Sequence, residues 1–421
     1  MKRQWIITKR SGKRKGWSGK IDDTNHKGEE PMVKAAGTGL TKVNEIYQNR
    51  DQRVKELKAE GKTIMGYLCI YPVLEMMTAL DLVPYRIFGD MSEPITDADD
   101  YLPMIVCPFL RSILDLGLKG RYDFLDGVVM AHICDVGART SHIWDVAVKT
   151  PYSHFIDVPH TNRQISQDRF KELLQDFQKT LETLTGKELT PAKLKAAVEV
   201  HNQQRALVRE LYDLRKPDPP LISGSEILRV MMALMSIPVE EGNSLLKEVI
   251  NEVKERKDGV PKKSARLLIW GPVLDDVALI EMIESLDANI VMDDTCVGSR
   301  AFFADVPVTD DPLDGIAHRY LEELKCPRTH RESNTDGVMR GYKADLEARF
   351  SYLKDFARDW NANGVVLQVM RYCDSHGYEV PQIKDYLESI GLPNMYLEHD
   401  YNKAALAPLK TRVQGFTEII A

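Results

Sequence analysis

Short apolar runs alternate along the chain with longer segments in which apolar residues recur at helical spacing. Runs of this kind, bounded by glycine, proline or charged residues, are typical of strands buried in a parallel sheet. The predicted strands are Ile64–Ile70, Val83–Phe88, Met104–Cys107, Gly127–Ile133, His154–Asp157, Leu267–Trp270, Asn289–Asp293, Val365–Met370 and Met395–Glu398. Their alternation with helical segments predicts an α/β protein with parallel sheets.

Two segments far apart in the chain share one pattern. In Asp126–Asp135 and again in Asn363–Asp374, a turn-forming Asp-Gly or Asn-Gly pair precedes an apolar run that leads to a Cys-Asp pair. Pro72–Glu75 and Pro272–Asp275 also correspond, and each half contains a Cys-Pro pair. Because these matches keep one order, they predict two α/β halves related by internal duplication. Ligands and catalytic groups collect at the carboxyl edge of such sheets, where both Cys-Asp pairs would lie.

The hydrophobic pattern changes between the two halves. Long, charged segments with a 3.6-residue period follow one another there, interrupted by the proline-rich stretch Lys216–Pro220. This region predicts a helical insert. We expect four parts: a basic N-terminal arm and helix (1–59), a first α/β domain (60–162), the helical insert (163–262) and a second α/β domain (263–421).

Composition and charge argue against two broad classes of function. The 421 residues are 43% apolar, and 56 basic residues against 63 acidic ones give a net charge of −7. Binding to nucleic acid or another polyanion is therefore not expected of the folded body. No apolar run approaches the length of a membrane span, and the basic segment Met1–Lys20 lacks a signal-peptide core. A cytoplasmic protein without a membrane partner is expected.

The six cysteines are the main candidates for chemistry: Cys69, Cys107, Cys134, Cys296, Cys326 and Cys373. In a cytoplasmic protein they are more often thiols or metal ligands than disulfides. None forms a Cys-x-x-Cys pair, so a metal site would have to be assembled from distant loops. Thiolate ligands favour an iron-sulfur cluster, although a single such cysteine is more often a buried core residue. His132, two residues before Cys134, leaves a zinc site open as an alternative.

Polar groups near two of these cysteines are further candidates. Cys296 lies in the loop Met292–Arg300, where Arg300 could pair with a carboxylate or phosphate of a substrate. Asp and Gly in the same loop could instead serve only to stabilise a turn. His376, close to Cys373, could donate a proton.

Several motifs, taken together and in order, resemble the benzoyl-CoA reductase and 2-hydroxyacyl-CoA dehydratase subunit family. They are Cys107–Ser112, Leu125–Val129 with Cys134-Asp135, Asp294–Arg300, Arg319-Tyr320 with Cys326-Pro327, Arg371–Asp374 and Thr411–Glu418. The resemblance implies two Rossmann-like halves with a helical addition, in agreement with the pattern described above. It also implies one [4Fe-4S] cluster per chain, held by three cysteines that match Cys107, Cys134 and Cys373.

The resemblance further implies partners and a reaction. A similar cluster-binding subunit would form a heterodimer with this chain, or a second copy a homodimer, and a separate ATP-hydrolysing iron-sulfur activator would deliver single electrons. This chain lacks an ATP-binding loop of the Walker type, because Glu56 occupies the position of its first glycine. That fits an enzyme in which a separate activator hydrolyses ATP. An acyl-CoA thioester would be reduced to a ketyl radical anion in a dry cavity. The expected proton donors are His132, His376 and Tyr372, and the expected substrate-binding residues are Arg111, Cys296 and Arg300.

Four functions compete at this level. The pattern around Cys107–Trp144 and Asp293–Arg300 favours an oxygen-sensitive, ATP-dependent benzoyl-CoA reductase that reduces the aromatic ring in single-electron steps. A 2-hydroxyacyl-CoA dehydratase subunit is the first alternative. The second is the double-cubane cluster reductase of a related branch, for which six thiols are enough in number. The third is a structural partner subunit without a cluster.

Overall fold

Two four-stranded sheets form the framework of the protein. The computed structural model describes residues 38–257, 259–331 and 341–421, and Thr38–Ala421 form one compact unit. The strands of the first sheet are β1 (Thr63–Leu68), β2 (Leu82–Arg86), β3 (Gly127–Ala131) and β4 (Ser153–Ile156). They lie in the order β2-β1-β3-β4, and every neighbouring pair is parallel.

The second sheet repeats this arrangement. Its strands are β5 (Ala265–Trp270), β6 (Ala288–Asp294), β7 (Gly364–Met370) and β8 (Asn394–His399). They lie in the order β6-β5-β7-β8, again all parallel. Each half therefore places its third strand beside its first, and the shared strand order agrees with the predicted duplication. The prediction of two Rossmann-like parallel-sheet domains is confirmed.

Equivalent residues start the third strand of each half. The Asp126 carboxylate accepts a hydrogen bond from the backbone N–H of Ile64 at 2.8 Å. The Asn363 side-chain oxygen accepts one from the N–H of Arg266 at 2.7 Å. In both halves this side chain joins the beginning of the third strand to the first strand. The shared Asp-Gly and Asn-Gly signals thus have the same structural role.

Helices cover both faces of the sheets, so β3 and β7 are buried along their whole length. Burial on two faces explains their uninterrupted apolar sequences. The helices of the first half are α1 (Gly39–Gln48), α2 (Gln52–Ala59), α3 (Leu74–Thr78), α4 (Pro108–Leu118) and α5 (Asp135–Ile143). Those between the sheets are α6 (Gln164–Thr185), α7 (Pro191–Asp213), α8 (Gly224–Leu234) and α9 (Val239–Glu255). These four confirm the helical character predicted for the insert.

The second half contains seven α-helices among the described residues: α10 (Ala278–Glu284), α11 (Ser299–Phe302), α12 (Pro312–His318), α13 (Tyr342–Asp359), α14 (Asp374–Gly377), α15 (Val380–Ser389) and α16 (Ala407–Ile420). Single π-turns extend α5 through Trp144–Val148 and α12 through Arg319–Glu323. None of the helices in the described part of the chain is long and apolar enough to cross a membrane.

Two local predictions were wrong. Met104–Cys107 is not a strand but an irregular turn in which Met104 and Ile105 are each 70% exposed, since no neighbouring strand pairs with it. The helix expected after the basic arm, within residues 1–59, is two helices in the described part of that segment, because turn-forming Asn49 and Asp51 separate α1 from α2. Residues 1–37, which include most of the predicted basic arm, lie outside the described residues. The predicted domain boundaries stay a prediction.

A buried ion pair fastens the helical region to the first half. Glu75 on α3 is fully buried and forms an ion pair with Arg205 on α7. The other carboxylate oxygen of Glu75 accepts a hydrogen bond from the Tyr320 hydroxyl at 3.0 Å. The pair therefore connects both halves and the helices between them, at the desolvation cost that buried charges carry.

Candidate functional site

All six cysteines line one cavity between the two halves, called here the thiol cavity. Apolar side chains make up much of its remaining wall: Leu68, Phe109, Leu110, Ile133, Val273 and Met370. These residues come from both sheets and their loops. The fold therefore brings six thiols, which are distant along the chain, to a single apolar space.

The sheet topology explains this convergence. Four cysteines lie just beyond the carboxyl ends of strands, at the edge where α/β proteins place their ligands. These are Cys69 after β1, Cys134 after β3, Cys296 after β6 and Cys373 after β7. Cys107 precedes α4, and Cys326 follows the π-turn after α12. The expectation that the two Cys-Asp pairs meet at sheet edges thus agrees with the structure.

Cys107, Cys134 and Cys373 form the first thiol set. Each is the N-cap residue of a helix, namely α4, α5 and α14. Burial raises the pKa of Cys107 to about 12, and the nearby Cys134 thiol contributes. Burial, followed by Cys107 and Cys134, likewise raises the pKa of Cys373. Without a cation these thiols are therefore protonated, whereas a bound metal would deprotonate them.

Cys69, Cys296 and Cys326 form a second thiol set in the same cavity. Burial raises the pKa of Cys69 to about 12, with Cys296 and Cys326 adding to the effect. The pKa of Cys296 is raised by burial and by Cys326, against the opposing charge of Arg300. No signal in the sequence indicated that these three thiols are neighbours, because no two of them share a motif.

The donor set fits an iron-sulfur cluster better than a single ion. Among the described residues, no three His, Cys, Asp or Glu side chains form a group that could hold one metal ion. Cysteines of a [4Fe-4S] cubane bind different irons, so their sulfurs lie farther apart than they would around one ion. Cys107, Cys134 and Cys373 face a common apolar space, and each would supply a ligand to a different iron. His132 is not part of the cavity wall, so the structure does not support the zinc alternative.

Arg300 and His376 are buried and linked to both thiol sets. Arg300 Nη1 lies 3.0 Å from His376 Nε2 and 3.6 Å from Cys296 Sγ. His376 Nδ1 lies 3.6 Å from Cys373 Sγ. The other donors of Arg300 bond to Asp294 and to backbone oxygens. Its predicted role in substrate binding stays a prediction, but the protein itself already occupies its donors.

The remaining predicted site residues lie away from the cavity wall. His132 Nδ1 bonds to Asp157 at 2.7 Å, and Tyr372 is 44% exposed. Arg111 is buried in an ion pair with Asp99. Of the nine predicted site residues, the cavity wall includes the three cysteines of the first set, His376 and Cys296.

Two arginines of the cavity wall were missed by sequence reasoning. Arg86, at the end of β2, donates a hydrogen bond to the carbonyl of Cys69. Arg328 donates to the carbonyl of His132 at 2.8 Å and lies 4.9 Å from the ring centre of Tyr71. Arg86 could have been recognised as a candidate site residue, because it is a charged residue at the end of an otherwise apolar strand. For Arg328 only its position two residues after Cys326 pointed to the site.

Comparison with known proteins gives consistent matches along nearly the whole chain. The family described as 2-hydroxyglutaryl-CoA dehydratase, D-component, matches residues 69–420. A benzoyl-CoA reductase subunit of Thauera aromatica is 26% identical over 390 residues, which cover 90% of this chain and 97% of that protein. The (R)-phenyllactyl-CoA dehydratase beta subunit of Clostridium sporogenes is 24% identical over 371 residues, covering 87% and 94%. The lactoyl-CoA dehydratase beta subunit of Anaerotignum propionicum is 24% identical over 383 residues, covering 90% and 98%.

The family match begins at Cys69 and extends almost to the end of the chain. It therefore includes both thiol sets and every strand of the second sheet. The relatives are subunits of a reductase and of two dehydratases, and all three are named for acyl-CoA substrates. The chain belongs to the 2-hydroxyglutaryl-CoA dehydratase D-component family.

Proposed function

We propose that this chain is the cluster-holding subunit of an oxygen-sensitive enzyme that acts on an acyl-CoA thioester, and that the reaction is the reduction of benzoyl-CoA. One observation carries the proposal. Cys107, Cys134 and Cys373, which are distant in sequence, face one apolar cavity. They match the cysteines expected to hold a [4Fe-4S] cluster, and each lies at the start of a helix.

A bound [4Fe-4S] cluster would supply single electrons at low potential. The protein's own residues would hold it and keep water out. The backbone N–H groups of Phe109 and Leu110 face Cys107 and favour its thiolate form. The N–H of Gly137 donates to Cys134 Sγ at 3.3 Å. Hydrogen bonds of this kind stabilise ligand thiolates that burial alone would disfavour.

The cavity wall also provides charge compensation. Arg86 and Arg328 both line the thiol cavity and are almost fully buried. Thiolate ligands bring negative charge into this apolar space, where an unpaired charge is costly. Two nearby cations would offset that cost. The apolar side chains around them would exclude the water that quenches radical intermediates.

Two partners belong to the proposal. The relatives are themselves named as subunits, one of a reductase and two of dehydratases. We expect a similar cluster-binding subunit beside this chain, and a separate ATP-hydrolysing activator as the source of electrons. An assay of the proposed function therefore needs all of these components together.

Product analysis separates the two reactions of the family. The chain is purified without oxygen together with its partner subunits and activator, and is then given ATP with either benzoyl-CoA or a 2-hydroxyacyl-CoA. A dearomatised product from benzoyl-CoA is expected, and it is expected to disappear in Cys373→Ser. Ser141→Ala is the matched control. Ser141 lies on α5, and its hydroxyl is buried without a hydrogen-bond partner, so this variant should keep activity. If only the 2-hydroxyacyl-CoA reacts, and it loses water, the chain is a dehydratase subunit and the reductase proposal is wrong.

The second thiol set favours one further candidate. Besides burial, Cys296 and Cys326 both raise the pKa of Cys69, Cys326 also raises the pKa of Cys296, and all three residues line the same cavity as the first set. Six thiols in one cavity suit a double-cubane cluster as well as a single cube. Iron content decides between them, because one cube contains four irons and two contain about eight.

A further inference from the structure

The imidazole of His376 lies between a guanidinium group and a cysteine of the first thiol set. Its Nε2 is 3.0 Å from Arg300 Nη1, and its Nδ1 is 3.6 Å from Cys373 Sγ. The residue is 5% exposed. Its ring packs against Trp270, with 5.3 Å between ring centres. Both ring nitrogens are therefore used inside the protein.

The contact with Arg300 decides which ring nitrogen has the hydrogen. A guanidinium group only donates hydrogen bonds, so the Nε2 atom that faces it must accept. The single N–H of a neutral imidazole is then on Nδ1, and it points towards the sulfur of Cys373. Turning the ring over would place carbon atoms at both contacts and remove both hydrogen bonds.

Buried partners hold Arg300 in place. Its Nε and Nη2 both lie 2.9 Å from the carboxylate of Asp294, and Nη1 donates to the carbonyl of Gly271 at 2.9 Å. Tyr352 donates to the same carboxylate at 2.8 Å. The orientation of His376 is therefore imposed by a network that extends from Tyr352 to the thiol.

We infer that His376 is a positioning residue whose Nδ1–H donates a hydrogen bond to the Cys373 sulfur and raises the reduction potential of the cluster that this cysteine holds. The inference rests on the proposed function. A hydrogen bond to a ligand sulfur withdraws negative charge and so stabilises the more negative, reduced cluster. The same geometry opposes a role for His376 as a proton donor to substrate, because its only N–H is directed at Cys373.

Two substitutions test the roles of the two ring nitrogens of His376 one at a time. In His376→Asn the amide N–H can occupy the place of Nδ1 and donate to sulfur. In His376→Gln the amide reaches the place of Nε2 and can accept from Arg300, but no donor faces the sulfur. His376→Leu removes both contacts and serves as a second variant without a donor. Iron is counted in each cluster-loaded protein, and the midpoint potential is then measured by redox titration followed by electron paramagnetic resonance.

The glutamine and leucine variants are expected to have a more negative midpoint potential than the wild type. A tenfold change in the one-electron equilibrium, which is about 59 mV, is the expected size. The asparagine variant is expected to keep most of the wild-type potential. Equal potentials in all four proteins, at equal iron content, would overturn the inference and leave the proposed function intact. A wild-type protein that binds no iron would instead remove the proposed function, and this inference with it.

Discussion

Cys134 and Cys373 occupy equivalent positions in the two halves of the protein. Each follows the third strand of its sheet, each is succeeded by an aspartate, and each is the N-cap residue of the next helix. The duplication thus delivers one thiol from each half to the same cavity, and Cys107 from the first half completes the set. A site shared in this way depends on the packing of both halves.

The second thiol set gives the first prediction. If one cube is held by the first set alone, Cys326→Ala should keep about four irons per chain, since this thiol would then only fill the cavity wall. Iron analysis of the anaerobically purified variant is the measurement. A wild type with about eight irons that falls towards four in this variant would favour the double-cubane candidate instead.

The buried carboxylate of Glu75 gives a prediction about stability. Burial alone would raise its pKa, but Arg205 and His201 hold the pKa below its usual range. Glu75→Gln would leave the Arg205 guanidinium buried without its counter-charge, which typically costs about 3–5 kcal/mol. We expect a loss of this size in the free energy of unfolding, measured by urea denaturation at pH 7.

A surface pair is the control for that experiment. Lys42 and Glu248 form an ion pair at 2.6 Å, but both side chains are nearly half exposed. Exposed pairs of this kind contribute about 0–1 kcal/mol. Glu248→Gln should therefore change stability little. Equal losses for Glu75→Gln and Glu248→Gln would contradict the role assigned to the buried pair.

His201 predicts a dependence of stability on pH. Burial lowers its pKa to about 4, against the opposing influence of Glu75, whereas an unfolded histidine has a pKa of about 6.5. Between these values the unfolded chain binds a proton that the folded protein does not. The free energy of unfolding should therefore fall as the pH decreases from about 6.5 to about 4, by up to about 1.4 kcal/mol per pH unit. His201→Gln should flatten this slope, and an unchanged slope would show that other groups cause it.

Two glycines predict opposite effects of the same substitution. A Cβ atom at Gly271 would lie 2.1 Å from the backbone oxygen of Gln368, inside the second sheet. Gly271→Ala should therefore destabilise the protein by about 1–3 kcal/mol or more and disturb the carbonyl that Arg300 binds. A Cβ atom at Gly415 in α16 meets nothing within 4 Å, so Gly415→Ala should stabilise the helix by about 0.5–1 kcal/mol. Thermal unfolding of both variants is the check.

Strand positions were predictable because a strand buried on both faces is apolar without interruption. Val365–Met370 and Gly127–Ile133 show this pattern, and both lie at the centre of a sheet. Met104–Cys107 is as apolar as these two segments but pairs with no strand. A short stretch of sequence does not show whether another strand will lie beside it. For this reason the same pattern gave a wrong prediction there.

The site was predictable only in part. Cys134 and Cys373 could be identified because each follows a strand whose carboxyl end must lie at a sheet edge. The position of Cys69 beside Cys326 depends on how the two halves pack, so the pattern of residues could not reveal it. The role of Arg300 could not be predicted either, although its partners all lie in the second half. Its loop suggested substrate binding, whereas Asp294 and His376 occupy its donors in the fold.

Iron and acid-labile sulfide per chain, measured after strictly anaerobic purification, test the central claim most directly. The wild type and the control Ser141→Ala are expected to contain about four of each. Cys107→Ala, Cys134→Ala and Cys373→Ala are each expected to lose most of both, because each substitution removes one ligand of the cluster. An iron-free, colourless wild type, or an iron content that is the same in all five proteins, would contradict the account.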